Sequence, residues 1–231
     1  MKKLLLIVFF VSYLSNGQTI DYKPCDDFLK KHVSDKGVVD YDKVLKNMEQ
    51  LNAIALNFSK ISPNKSWTEN EIKTFWINVY NINVIKLLAE NYPLKSISYI
   101  RDPFQMQFIS YDGEKISLDH IVNVILKPLN DPRIHFVLYS TAISSPTLRN
   151  STYSADKLDD DLHVATNIYI NDPTKNIINA KNCALSKIFE WNVTDFMGKN
   201  TLIAFINDYS RVTISDDAKI SFMEYNWSLY K

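Results

Sequence analysis

The stretch SWTENEIKTFWINVYNINVIKLLAENYP, residues 66–93, decides how the rest of the chain is read. Ser66-Trp67-Thr68-Glu69 has the Ser-x-x-Glu spacing of a capping box, in which each side chain satisfies the other residue's free N–H. From there Ile72, Phe75, Trp76, Val79, Ile82 and Lys86 track one broad side at helical spacing, and Asn91-Tyr92-Pro93 ends the run. A helix this aromatic is core. Asn78 and Asn81, three apart, occupy neighbouring positions of one face. Two such amides could line a pocket or orient a histidine as binding residues. Alternatively they bond to the backbone of a neighbouring strand and fix its register, which is favoured because buried amides must find partners.

Upstream, Asp26 to His32 carries Phe28, Leu29 and then Val33 at helical spacing, broken at Asp35-Lys36-Gly37. After a short extended piece, Asp40 or Asp42 could cap an amphipathic helix with Val44, Leu45, Met48 and Leu51 on one face. Downstream, Asp112-Gly113 is a strong two-residue hairpin signal because both central positions favour positive φ. Ser117 then caps a short helix closed by Lys127-Pro128. Arg133 to Tyr139 alternates as a strand, with His135 mid-strand. Ser154 opens a helix with Leu158, Leu162, Ala165 and Ile168 inward, and Ser186 to Phe196 reads as two short helical starts. The chain is expected to close on a hairpin, Arg211–Ser215 against Lys219–Tyr225. Helices first, then mixed elements without regular βαβ alternation, predict an α+β fold rather than a doubly wound sheet. The expected architecture is a single domain, a helical N-terminal half packed on a small, mostly antiparallel sheet.

The first residues follow another logic. Met1-Lys2-Lys3 and the apolar run Leu4 to Leu14, then Ser15-Asn16-Gly17-Gln18, have the order of a secretory signal peptide. The run is shorter than the roughly 20 residues needed to span a bilayer. Residues 1–18 are therefore expected to be a signal peptide and residues 19–231 the globular domain of a periplasmic or secreted protein, with no membrane span after removal. Losing Lys2 and Lys3 leaves 24 basic against 26 acidic residues, a net charge of −2. No segment gathers the basic residues of a nucleic-acid patch, so nucleic acid is not an expected partner. Cys25 and Cys183 could pair as a disulfide in an exported protein, or stand as separate buried thiols.

Chemistry has few places to reside. With four glycines the chain has no phosphate-cradling loop, and it lacks Cys-x-x-Cys and His-Glu-x-x-His, so no cofactor or metal is expected. His135 is followed by a loop of small and hydroxyl residues, Ser140, Thr141, Ser144 and Ser145. A serine there could act as a nucleophile if His135 accepted its proton. Most loop serines simply bond to nearby backbone, and no Gly-x-Ser-x-Gly elbow is present.

Several strings together resemble the domain-of-unknown-function 547 (DUF547) family. They are Gly37-Val38-Val39-Asp40-Tyr41, Phe75-Trp76-Ile77-Asn78-Val79-Tyr80-Asn81, Tyr92-Pro93-Leu94-Lys95-Ser96-Ile97 and Ile116-Ser117-Leu118-Asp119. Asp131-Pro132-Arg133-Ile134-His135-Phe136 and Leu185-Ser186-Lys187-Ile188-Phe189-Glu190-Trp191 complete the set, with order and spacing agreeing from about Asp26 to Phe205. The family has no established activity. Its members usually show a Glu-His pair late in the Ser-Leu-Asp helix and two cysteines after Arg-Ile-His-Phe, a set that looks like a Cys–His–Glu hydrolase or acyl-transfer site. Here those positions read Val122-Asn123 and Ser140 and Ser145, while Pro146 and Leu148 keep the local frame.

The resemblance thus implies a family scaffold whose reactive residues are replaced. A serine needs stronger base assistance than a cysteine, and the acidic partner that would orient a histidine is missing. The expected protein is a non-catalytic binding or structural member, with Asn78, Asn81 and Arg133 as candidate binding residues for a small-molecule, peptide or protein ligand. The alternative is a serine hydrolase or acyl transferase using His135 with Ser140 or Ser145.

Overall fold

A computed structural model describes residues 20–198 and 201–231; the expected signal peptide lies outside the described residues. Three helices lead: α1 (Lys23–His32), α2 (Tyr41–Leu45) and α3 (Met48–Ser59). Asp40 caps α2 by accepting from the Lys43 amide at 3.0 Å. The single amphipathic helix expected here is therefore two helices, interrupted at Lys46-Asn47.

These pack around α4 (Glu69–Glu90), the longest element. Its capping box is Thr68 with Glu71, not Ser66 with Glu69: the Glu71 amide donates to Thr68 Oγ1 at 3.2 Å, and the Thr68 amide donates to Glu71 Oε2 at 2.7 Å. Ser66 instead turns back to Asn64. Every residue from Lys73 to Ala89 except Lys86 is buried, so the helix is enclosed on all sides rather than along one stripe. Phe75 meets Phe58, Trp67 and Trp76 edge-on, at centroid distances of 5.9, 5.6 and 5.1 Å. Each buried ring of this kind contributes about 1.5–3 kcal/mol relative to exposure.

The hairpin forms as expected, β1 (Ile109–Tyr111) antiparallel to β2 (Glu114–Ile116), with φ of 49° at Asp112 and 79° at Gly113. Ser117 caps α5 (Leu118–His120) by accepting from the His120 amide at 3.0 Å, and the helix widens into a π-helical stretch, Ile121–Leu126. A second buried cluster gathers around Phe136, Phe189, Phe196 and Ile206. It is supplied by α6 (Leu158–Ile170), α7 (Lys187–Trp191), α8 (Val193–Phe196) and α9 (Leu202–Asn207). Along α6 the inward set is Leu158, Leu162, Thr166, Tyr169 and Ile170, whereas Ile168 is 60% exposed, against expectation.

The second sheet has the order β3 (Ile177–Ile178), β4 (Asn182–Leu185), β5 (Lys219–Phe222); β3–β4 is antiparallel and β4–β5 parallel. The expected terminal hairpin does not form. β5 takes β4 as its partner, and the Asn207 side chain brackets Ile214, donating to its carbonyl at 2.9 Å and accepting from its amide at 2.8 Å. The fold is α+β, with a helical N-terminal half and small, mostly antiparallel sheets. Among the described residues no helix is long and apolar enough to cross a membrane. Cys25 and Cys183 are free and buried, one in each core cluster, so the disulfide that was one reading of the sequence is not formed.

Candidate functional site

His135 is set by a tight turn, not by a strand. Pro132–Phe136 is a 3-10 helix opened by Asp131, whose carboxylate accepts from the Arg133 amide at 3.2 Å, with Pro132 at its first turn. Residues 134–142 are all buried, so alternation along them carries no information about facing. The backbone bonds that a strand ladder would have supplied come from Asn81. Its Nδ2 donates to the Val137 carbonyl at 2.9 Å, and its Oδ1 accepts from the Tyr139 amide at 2.9 Å. Asn78 treats Tyr153 in the same way, with both bonds at 3.0 Å. Both amides are engaged with the backbone and neither lines the cavity described below.

That cavity has a volume of about 810 Å³ and His135 forms part of its wall. The ring is 6% exposed and its Nε2 lies 2.7 Å from Asp195 Oδ2. Lys127 Nζ reaches the same carboxylate oxygen at 3.3 Å. Burial pushes the His135 pKa below its ordinary value, outweighing the pull of Asp195. The bond to His135, aided by Lys127, holds the Asp195 carboxyl below the usual range. The pair is therefore a neutral imidazole donating Nε2–H to a carboxylate, which leaves Nδ1 as the ring's acceptor.

Next to it lies a second cluster. Asp131 receives Lys73 Nζ at 2.9 Å and both Arg133 Nε and Nη2 at 2.9 Å. Burial alone would raise the Asp131 carboxyl, but the two cations hold it below its ordinary value. Arg133 also meets Asp159 Oδ1 at 2.7 Å, so the guanidinium sits in the cavity wall with carboxylates on two sides.

Ser140 and Ser145 have other partners. Ser140 Oγ pairs with the Tyr225 hydroxyl at 2.8 Å, the Ser140 amide donates to Ser145 Oγ at 2.8 Å, and Ser145 Oγ donates to the Pro146 carbonyl at 3.0 Å. Burial pushes the Tyr225 pKa up to about 12, so the phenol stays neutral and is a poor base at neutral pH. The chain end is laced to this loop: the Ile143 amide donates to the Ser228 carbonyl at 2.8 Å and the Tyr230 amide to the Thr141 carbonyl at 2.9 Å. Among the described residues no hydrogen bond joins His135 to either serine. Val122 packs against the main core and Asn123 is exposed. Among the described residues no group of three or more His, Cys, Asp or Glu side chains is placed to hold a metal ion.

Asp195, Lys127 and Tyr225 were not singled out from sequence. Lys127 reads only as a helix stop, and Asp195 lies in a short helical start 60 residues from His135. No local spacing rule connects them.

Residues 64–170 match the family model described as "Protein of unknown function, DUF547". That segment, which is similar to the DUF547 family, holds Asn78, Asn81, Lys127, Arg133, His135, Ser140 and Ser145. Asp195 and Tyr225, the partners of His135 and Ser140, both come from beyond it. No curated protein and no solved structure matches the chain.

Proposed function

We propose that this protein is an exported, non-catalytic binding member of the DUF547 family, whose ligand occupies the cavity walled by His135, Asp195, Lys127 and Arg133. The observation that carries the reading is the separation of the groups a hydrolase would need together. His135 faces Asp195, while Ser140 faces a neutral phenol and Ser145 faces backbone. A serine nucleophile needs a base within hydrogen-bond reach. The replacements at Val122, Asn123, Ser140 and Ser145 point the same way, since the family's usual acidic and thiol groups are the ones missing. Export rests on the order of charge, apolar run and small residues over positions 1–18.

A cavity of about 810 Å³ falls in the range of roughly 300–1,000 Å³ typical of small-molecule sites. Its wall carries a neutral, orientation-fixed imidazole and charged N–H donors, groups suited to recognising a polar ligand without turnover. The test is hydrolysis of p-nitrophenyl acetate by the folded domain, compared with His135→Ala and with Ser140→Ala/Ser145→Ala. Binding without catalysis requires the three proteins to give the same slow rate. Turnover that disappears in His135→Ala and in the double serine variant, with the fold intact, would instead establish the hydrolase.

A further inference from the structure

Residues 226–230 lie as an extended strand between two other stretches of backbone, Lys95-Ser96 on one side and Thr141–Ser144 on the other. We infer that this slot is a second binding site, for an extended peptide of another protein with an aromatic and an aliphatic residue two positions apart. Residues 226–230 occupy it in cis as a displaceable plug. The site shares no residue with the wall of the His135 cavity.

The strand is bonded along both edges and runs antiparallel to each. On one side the Leu229 amide donates to the Lys95 carbonyl at 2.7 Å. On the other, the Ile143 amide donates to the Ser228 carbonyl at 2.8 Å and the Ser144 amide to the Asn226 carbonyl at 3.2 Å, while the Tyr230 amide donates to the Thr141 carbonyl at 2.9 Å. These bonds use main chain alone, so an extended segment of another sequence can make them, as when a peptide adds to a sheet edge. Side chains supply the selectivity. Leu229 is buried, and Trp227 packs part-buried against Phe104 and Trp191, at centroid distances of 6.0 and 5.8 Å.

Two features mark the plug as separable. Leu229 is the one buried residue within 226–231, and the preceding Glu224 and Tyr225 make no backbone hydrogen bond among the described residues, so the strand can leave without the core opening. Beneath it Thr141 holds a β-branched side chain at a φ of 66°, a strained conformation, and its fully buried Oγ1 has no hydrogen-bond partner among the described residues. Strain of this kind gathers at ligand clamps and switch regions. A tethered strand competes at an effective concentration on the order of millimolar, so a peptide in trans gains access as the tail is weakened.

The test uses a synthetic peptide of residues 225–231, Tyr-Asn-Trp-Ser-Leu-Tyr-Lys, added to the folded wild-type protein and to folded Leu229→Asp, whose own tail has lost its buried anchor. The peptide is expected to bind Leu229→Asp saturably, at least about tenfold more tightly than wild type, and to slow hydrogen exchange at the Ile143 and Ser144 amides. A peptide with Asp in place of Leu should not bind. Tyr230→Pro, which removes the bond to Thr141, serves as the second variant. In wild type, the Ile143, Ser144, Leu229 and Tyr230 amides should exchange at least about tenfold faster than Val84 in α4, because release of the strand precedes global unfolding. No binding to either folded variant, equal binding of the Asp peptide, or protection of the four amides equal to that of Val84 overturns the inference. Sedimentation of wild type is expected to show a monomer. A dimer that is lost in Leu229→Asp would assign the slot to the tail of a second copy and overturn the assignment to another protein's peptide.

Discussion

His135 and Asp195 stand 60 residues apart in the chain and 2.7 Å apart in space, from Nε2 to Oδ2. The contact fixes which ring nitrogen carries the proton, as a carboxylate does for a neutral imidazole. It also makes a histidine that burial keeps neutral into a directional acceptor at its other nitrogen. Titration of the His135 ring followed by NMR is expected to show a midpoint below 6.5, the ordinary histidine value. Asp195→Asn removes the attraction that opposes burial, so the midpoint should fall further. A wild-type midpoint above 6.5 would mean that a charged ion pair, not a neutral dyad, occupies the site.

The same shift sets a pH dependence of stability. The unfolded chain takes up the His135 proton first, because its pKa is ordinary there and lower in the folded state. The contribution of neutral His135 is complete above pH 6.5 and is lost as pH falls from 6.5 toward the folded-state value. Asp195 acts in the same direction lower down, its contribution falling away as pH drops below 3.8. Urea midpoints measured between pH 8 and 5 should decline in wild type and decline less in a folded His135→Phe variant. Equal declines would remove His135 from the cause.

Asn81→Ala should be strongly destabilising. It leaves the buried Val137 carbonyl and Tyr139 amide without partners, and unpaired buried groups cost about 1–3 kcal/mol each, so a loss of about 2–5 kcal/mol is expected. Asn78→Ala should act similarly at Tyr153. Urea unfolding reads both, and a loss below about 1 kcal/mol would show that water or relaxation replaces the amide.

The buried cluster at Asp131 predicts an order among variants. Asp131→Ala strands Lys73 and one face of Arg133, with Lys73 and Asp131 side chains only 7% and 9% exposed, and should cost about 3–5 kcal/mol. Lys73→Ala leaves Asp131 held by Arg133 and should cost less. Thermal unfolding of the two variants tests the order, and a reversal contradicts it.

Tyr225 is expected to guard the 140–146 loop. In Ser140→Cys the new thiol should react with a thiol reagent at least about tenfold more slowly in the folded protein than in urea, because access requires local opening. Adding Tyr225→Ala should raise the folded-state rate. Cys25 and Cys183, both buried, supply the background measured in wild type. Equal rates with and without Tyr225 would mean that the chain end does not cover the loop.

What was legible in the sequence was local. Asp112-Gly113, Ser117, Ser186 and the aromatic run of α4 act over a few residues, through φ preference, capping and burial, and each appears where expected. The errors came where side chains replaced secondary structure. Arg133 to Tyr139 looks like a strand because its apolar residues alternate, yet it is buried on both sides and held by the Asn81 amide. Ile214 is held by Asn207 in the same manner, which leaves the preceding segment out of the sheet. An asparagine that uses both ends of its amide on distant backbone has no periodicity to reveal it. Asp195 was invisible for the related reason that its partner is remote, and His135 itself was found through its neighbourhood of serines, with which it makes no hydrogen bond among the described residues.

Exposure of the folded domain to a serine-reactive fluorophosphonate, with adducts located by peptide mass spectrometry, tests the absence of a serine nucleophile most directly. No adduct is expected at Ser140 or Ser145, because neither hydroxyl has a base in reach and both are tied to Tyr225 or backbone. A stoichiometric adduct at either serine, abolished by His135→Ala in a folded protein, would contradict the binding reading and establish a catalytic one.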